Sequence, residues 1–289
     1  MNDFVITTDT TSDLPASYVK DYHIEILPLY YNLEGVIYGG DVKLPPEEFY
    51  AKMRSGQMPT TMAVNPETAK ETFKKYLDQG MDILHIGFSS ALSGSFNSTM
   101  IAANELKDDY PDRKIILVDS LCASLGEGLL VHKAILLKKA GKTLEEIASW
   151  VEENKLHICH LFTVDDLFHL QRGGRVSKTT AIIGTMINVK PILHVNDEGK
   201  LIPLQNVRGR KKSLTTLVDN MEKQINGYEE QNDIIFISHG DSLADAEYVA
   251  SLIKDRFGIH SFLIDYVSPT VGAHSGPGTI ALFFMGNKR

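Results

Sequence analysis

The chain has 289 residues, enough for two domains of ordinary size, and 43% of them are hydrophobic, enough to bury a sizeable core. Its 29 basic and 37 acidic residues leave a net charge of −8, a poor balance for general binding to nucleic acid or to an anionic membrane. The two cysteines, Cys122 and Cys159, lie far apart with no CxxC pair, which fits a reduced cytoplasm rather than a disulfide framework. The N-terminus carries an acid and no basic stretch, and no run of about 18 apolar residues occurs, so a cytoplasmic chain without signal peptide or membrane span is expected.

Apolar runs alternate with helix-period segments from the start. Phe4–Thr8 reads as a strand, followed by Asp9–Pro15, a turn opening a short helix. Glu25–Asn32 reads as a second strand, and Pro46–Arg54 and Pro66–Gln79 as helices, each with proline near its start. Asp82–Gly87 is a strand, Gly94–Leu106 a helix and Lys114–Val118 a strand. Leu125–Lys139 and Leu144–Asn154 read as amphipathic helices, the second opened by Thr143 and Glu146 at capping-box spacing. This alternation predicts a mostly parallel, helix-covered sheet.

After about residue 160 the pattern changes. Val164–Gln171 and Ser177–Met186 read as helices flanking Arg172-Gly-Gly-Arg175. Val189–Val195 and Leu201–Val207 form a hairpin across Asn196–Lys200. Ser213–Ile225 is helical, Ile234–Ser238 a strand, Ala244–Phe257 a helix, and Ser261–Tyr266 and Thr279–Met285 strands. The expected fold class is α/β, with an N-terminal mostly parallel sheet domain and a C-terminal α+β mixed-sheet domain. The default ligand site is the cleft between them.

Within this frame, Ser89-Ser-Ala-Leu-Ser93-Gly94-Ser95 joins a buried strand to a helix start. It gathers backbone N–H groups, a helix dipole and hydroxyls, which suits an anionic head group. Ser93 also reads as a plain N-cap. A hydrolase elbow would need glycine at 91 and 95, where the chain has Ala91 and Ser95. Pro59-Thr60-Thr61-Met62 is a short extended segment that can aim one hydroxyl inward; it reads equally as a capping turn before Pro66. Leu170–Ser177 is a basic, glycine-rich turn without the ending of a P-loop. Arg208–Lys212 reads as a solvated basic face, a docking patch or a counter-charge for an anion. Val271–Gly278 reads as a small-residue loop carrying His274. The ten histidines form no metal-binding spacing, so no metal is expected.

Taken together and in this order, these segments resemble the DegV family of bacterial fatty-acid-binding proteins. Asp9–Leu14 matches D-S/T-T-S-D-L, Pro59–Thr61 opens P-T-T-S-Q, and Ser89–Ser95 matches S-S-x-L-S-G-T/S. Leu170–Ser177 matches L-x-K/R-G-G-R-I/V-S, followed by Lys190–Ile192, a late arginine (Arg208) and A-H-S/T-G-x-G at Ala273–Gly278. The resemblance covers essentially the whole chain. It implies an α/β head-group domain over residues 1–160 and an α+β domain over 161–289, with a long-chain fatty acid such as palmitate, stearate or oleate between them. It implies that Thr61 and Ser93 hold the carboxylate and that Arg208 and His274 lie near the head group. Kinase-partnered members present the acid to an ATP-binding fatty acid kinase subunit, which makes acyl-phosphate for phospholipid synthesis. The carrier then brings no catalytic residues, cofactor or metal of its own, and transient membrane contact is compatible with it. Where the family often has Ser-Gln, this chain has Met62-Ala63, which removes one hydroxyl from the head-group end. Candidate tunnel-lining residues lie in Ala181–Ile187 and Leu125–Leu130.

Two other classes compete on the same residues. One is a serine esterase or acyltransferase using Ser93 and His274. The other is a phosphate or nucleotide binder using Arg172–Arg175 and Arg208–Lys212.

Overall fold

The computed structural model describes residues 3–177 and 188–289. The first half runs β1 (Phe4–Asp9), α1 (Ala16–Asp21), β2 (Glu25–Leu27), β3 (Tyr30–Leu33), β4 (Val36–Tyr38), α2 (Pro46–Arg54), β5 (Thr60–Met62), α3 (Pro66–Leu77), β6 (Asp82–Gly87), α4 (Ser95–Leu106), β7 (Ile115–Asp119), α5 (Leu125–Lys139) and α6 (Leu144–Asn154). Strands β2-β1-β6-β7 form a four-stranded sheet in which every pairing is parallel. Its central strands β1 and β6 are buried at all six positions, as strands covered on both faces must be. One face packs Val5 and Ile83 against Phe73 of α3 and Ala102 of α4; Phe4, Ile6, Leu84 and Ile86 face α5 and α6.

The second half runs β8 (Ile158–Thr163), α7 (Phe168–Arg172), β9 (Val189–Val195), β10 (Leu201–Arg208), α8 (Arg210–Gln224), β11 (Ile235–His239), α9 (Leu243–Phe257), β12 (Phe262–Tyr266), α10 (Pro269–Ser275) and β13 (Ile280–Met285). Its strands make one mixed sheet of order β10-β9-β8-β13-β11-β12, antiparallel except for β11–β12. Alternate side chains serve opposite faces. Ile235, Ile237, Leu282 and Phe284 meet α8 and α9, whereas Phe236, Ala281 and Phe283 turn toward α5. The expected α/β class, a parallel sheet followed by a mixed one, is the fold observed, and the hairpin β9–β10 forms across Asn196–Lys200.

Helix α5 joins the two halves, packing on β1 and β6 from one sheet and on β8, β11 and β13 from the other. It was expected to be amphipathic. Instead Leu125–His132 are buried without a break, and only the end of the helix reaches solvent. A helix between two sheets has no outward face to leave polar. Leu125–Leu130 therefore belong to the core between the sheets and do not line the cavity described below.

Other expectations are corrected as well. Glu25–Asn32 is two strands: the chain breaks at Pro28, which has no N–H to donate, and β3 pairs with β4 and β5 in a small antiparallel sheet. β8 was not anticipated: it is buried at all six positions, so its sequence, with His160 among apolar residues, shows no alternation of two; residue 160 falls inside it. Val164–Gln171 is helical only from Phe168, whose N–H bonds the Asp166 carboxylate. The segment around His274 is no loop. Pro269 starts α10, and small residues let it seat against α2: a side chain at Gly272 would come within 2.3 Å of the Tyr50 hydroxyl. The helix expected at Ser177–Met186 and the lining expected at Ala181–Ile187 lie outside the described residues, apart from Ser177. Among the described residues no helix is long and apolar enough to cross a membrane.

Candidate functional site

The turns after β1 and β6, the segment β5, Ala123 and Ser124 just before α5, the helix α10 and strands of the mixed sheet surround one cavity. It offers about 160 Å³ to the centres of water-sized spheres, roughly ten times what one water needs. Phe88, Leu92, Phe162, Leu170, Val271 and Phe283 supply much of its wall, so most of the interior offers no hydrogen bond. Polar side chains lie among them, one group around Thr61, Ser93 and His274 and another around Thr11 and Ser124.

Thr61, Ser93 and His274 all line this cavity. Thr61 is the inward position of β5, half-buried between exposed Thr60 and Met62. Its Oγ1 lies 2.7 Å from His274 Nε2. His274 Nδ1 is buried and has no partner among the described residues. A buried N–H without an acceptor is rarer and costlier than an unused lone pair, so the ring proton belongs on Nε2, donated to Thr61. The Thr61 hydroxyl proton is then free for a ligand. Burial, with the charges of Arg175 and Arg172, pushes the His274 pKa down to about 4, so the ring is neutral at pH 7.

Ser93 sits in the turn after β6. The cap position of α4 is Gly94, not Ser93. Ser93 Oγ nevertheless accepts the Ser95 N–H at 3.2 Å and shares a proton with Ser95 Oγ at 2.9 Å. Ser95 Oγ in turn accepts the Val64 N–H, which ties this turn to the segment after Thr61. Ser89 reaches across to the second sheet and donates to the Gly199 carbonyl at 2.9 Å in the β9–β10 turn.

Two arginines hold the parts together, a role not anticipated from the Arg-Gly-Gly-Arg motif. Arg172 donates to the carbonyls of Pro59 and Ala273, clamping β5 to α10 and so Thr61 to His274. Arg175 lines the cavity and donates through Nε and Nη2 to the Leu92 carbonyl at 3.0 and 2.8 Å. Gly173 between them is required by close approach: a Cβ there would stand 2.1 Å from His274 Nδ1. Among the described residues neither arginine has a carboxylate partner, so this part of the cavity keeps uncompensated positive charge. The spacing of Arg172 and Arg175 around two glycines was the available signal; what it could not convey was that both would point at backbone carbonyls.

Arg208 is not brought to this group. It ends β10 opposite Val189, is exposed, and is not among the cavity-lining residues. Its neighbours are engaged on the surface, Arg210 with Asp245 and Lys212 with Asp219. The hydroxyl of Ser93 bonds to Ser95 rather than to His274, and His274 has no acid at Nδ1. A serine–histidine–acid relay is therefore not assembled here.

The fold and cavity define a class: an α/β protein in which a parallel and a mixed sheet flank a cavity with apolar walls and neutral donors beside a cationic group. The family model described as an uncharacterised protein of the DegV family matches residues 3–287, and the chain belongs to the DegV family. It is 48% identical over 291 residues to a DegV domain-containing protein of Clostridium perfringens, covering 100% of this chain and 99% of that protein. Among solved structures it resembles a fatty-acid-binding DegV family protein from Thermus thermophilus, with a TM-score of 0.86, 28% identity, and 98% and 99% of the two chains covered. A DegV lipid binding protein from Thermotoga maritima matches with a TM-score of 0.84 and 26% identity, covering 99% of each chain.

Proposed function

We propose that the chain binds a long-chain fatty acid, such as palmitate, stearate or oleate, with its tail in the cavity and its carboxylate against Thr61, Ser93 and His274. The observation that carries this reading is the grouping of Thr61, Ser93, His274 and Arg175 at one side of a cavity with apolar walls, with Arg172 behind them, neither arginine having a carboxylate partner among the described residues. A 16-carbon acid has about 14 methylenes, and burying them at about 0.8 kcal/mol each is worth roughly 11 kcal/mol before ordering costs. The tail thus dominates affinity and the polar wall sets orientation. A carboxylate bonded by Thr61 and Ser93 gains about 1.5–3 kcal/mol per bond, without any residue acting as a nucleophile. The loss of a family hydroxyl at Met62-Ala63 leaves these two donors and the arginine field to hold it.

The same reading makes residues 1–160 the head-group domain and 161–289 the domain closing the tunnel, with no metal or cofactor of its own. It makes the chain a cytoplasmic carrier that presents the acid to an ATP-binding kinase subunit. Exposed Arg208 then serves the partner rather than the acid. The test is gentle purification, solvent extraction and mass spectrometry, followed by titration with palmitate and oleate. Co-purified or added fatty acid at one per chain supports the reading; no lipid and no binding overturns it. Phosphorylation of the bound acid by a fatty acid kinase subunit and ATP tests the partner separately.

A further inference from the structure

Three buried carboxyls, Asp9, Asp13 and Glu127, bond to the cavity-lining residues Thr11, Phe88 and Ser124 without lining the cavity themselves. Asp9 ends β1 and Glu127 lies in the first turn of α5, at 1% and 0% exposure. Asp9 Oδ1 accepts the Thr11 N–H and Oδ2 the Phe88 N–H, each at 3.1 Å. Glu127 Oε1 accepts from Thr8 Oγ1 at 2.7 Å. Thr11 Oγ1 then lies against both acids, bonding Asp9 Oδ1 and, at 3.0 Å, Glu127 Oε2.

Proton counting decides what this cluster is. A hydroxyl carries one proton, and an ionised carboxylate can only accept. With both acids ionised, the single Thr11 proton serves one contact, and the other sets lone pair against lone pair between buried like charges. We propose that the pair retains one proton, held on Glu127, so that Glu127 donates to Thr11 and Thr11 donates to an ionised Asp9. Glu127 is thereby a positioning residue for the serine turn, acting through Asp9 on the Phe88 N–H where that turn leaves β6.

The surroundings favour this assignment. Burial holds Glu127 well above the ordinary carboxylate range, and the charges of Asp9 and Asp13 raise it further. Burial raises Asp9 too, but its two backbone N–H donors favour the charged form. The other ionisable groups around α5 do not supply a countercharge. Cys122, just before it, is raised to about 11, and His160 from β8, packed on Gly126, is held well below its usual range, so both are neutral at pH 7. Arg289 keeps its charge but bonds carbonyls and Cys122 Sγ, and neither Asp9 nor Glu127. His132 on α5 is lowered to about 4 by burial, His85 of β6 to about 3, and His239 at the end of β11 is lowered as well. The acids of α6 are exposed, and β13 carries no ionisable residue.

The test uses the full chain and does not depend on the ligand proposed above. Infrared spectra of protein carrying ¹³C-labelled glutamate should show, at pH 8, the C=O stretch of a protonated carboxylic acid that is lost in Glu127→Gln. Because a neutral acid in the folded state holds a proton that the unfolded chain gives up above its ordinary value of 4.5, its contribution to stability falls as pH rises. Glu127→Gln keeps the donor to Thr11 and the acceptor for Thr8 but cannot ionise. It should match the wild type at pH 4, below that ordinary value, and exceed it at pH 8. Phe88 amide hydrogen exchange should be at least tenfold faster in Glu127→Ala and unchanged in Glu127→Gln. No labelled protonated-acid band at pH 8, a stability gap that does not widen with pH, or equal exchange in the two variants would overturn the proposal. If Glu127→Gln does not fold, the band in the labelled wild type decides by itself.

Discussion

Two polar groups border the same cavity and satisfy their charges in opposite ways. Around His274 the ionic groups are cations, and Arg172 and Arg175 spend their N–H donors on the carbonyls of Pro59, Ala273, Leu92 and Gly173. Around Thr11 and Ser124 they are acids, bonded to hydroxyls and amides. Neither group borrows ions from the other. The first keeps a positive field that an anion can complete, while burial raises the carboxyls of the second so that part of its charge is carried as bound protons. The difference gives the cavity a polarity: its cationic side suits a negative head group better than its acidic side does.

The largest effect should come from unpinning the cationic wall. Arg172→Ala removes the clamp between β5 and α10 and leaves two carbonyls unpaired, with an expected loss of about 3 kcal/mol in urea denaturation. It should also abolish retention of bound lipid through purification. Next are the direct donors. Thr61→Ala or Ser93→Ala should each weaken fatty-acid binding by about 1.5–3 kcal/mol, roughly ten- to a hundredfold, read by competition with a fluorescent fatty acid, while the fold persists. Gly173→Ala tests the contact behind the ring: the added methyl must displace His274, at about 1–3 kcal/mol, and NMR of the imidazole should report loss of the Thr61 bond.

The acidic wall is tested by pH. Burial raises Asp13 to about 7 from 3.8, despite its bonds from Ser124 and Ser268. The folded chain therefore keeps a proton that the unfolded chain releases, and this group's contribution to stability falls as pH climbs from about 4 to about 7. His274, lowered to about 4 from 6.5, works the other way, and its contribution rises with pH over that interval. Asp13→Asn should remove the falling component, so that thermal unfolding between pH 4 and 8 shows a steeper rise than in the wild type. The smallest effect is expected at Arg208. Exposed and away from the cavity, Arg208→Ala should change stability by less than about 0.5 kcal/mol and leave fatty-acid affinity intact, while lowering the rate of phosphorylation by a partner kinase. A parallel loss of binding would contradict that division.

Much of the fold was legible in the chain because it is written in local signals. The parallel sheet, the capping box at Thr143 and the β9–β10 turn each follow from period or turn chemistry. The misses have a common cause, which is that tertiary contact decided them. β8 is a short aperiodic segment, with His160 inside it, that becomes a buried strand because β9 and β13 flank it. α10 is a run of small residues that becomes a helix because it must fit beneath Tyr50. Of the expected site residues, Thr61, Ser93 and His274 meet at the cavity and Arg208 does not. Their arrangement depends on Arg172 and Arg175 finding backbone carbonyls far away in sequence, and on buried acids whose partners sit more than a hundred residues apart. No local spacing encodes such pairings.

The uninterrupted burial of Leu125–His132 has a consequence for tolerance to mutation. A helix on a surface accepts polar substitutions along one stripe, so a saturation scan of α6 or α9 should alternate between permissive and intolerant positions every three or four residues. The first half of α5 has no such stripe. Apart from Glu127→Gln, it should register as a solid intolerant block eight residues long, in which even Gly126 and Gly128 resist replacement, since a side chain there would strike His160 or the Ser12 carbonyl.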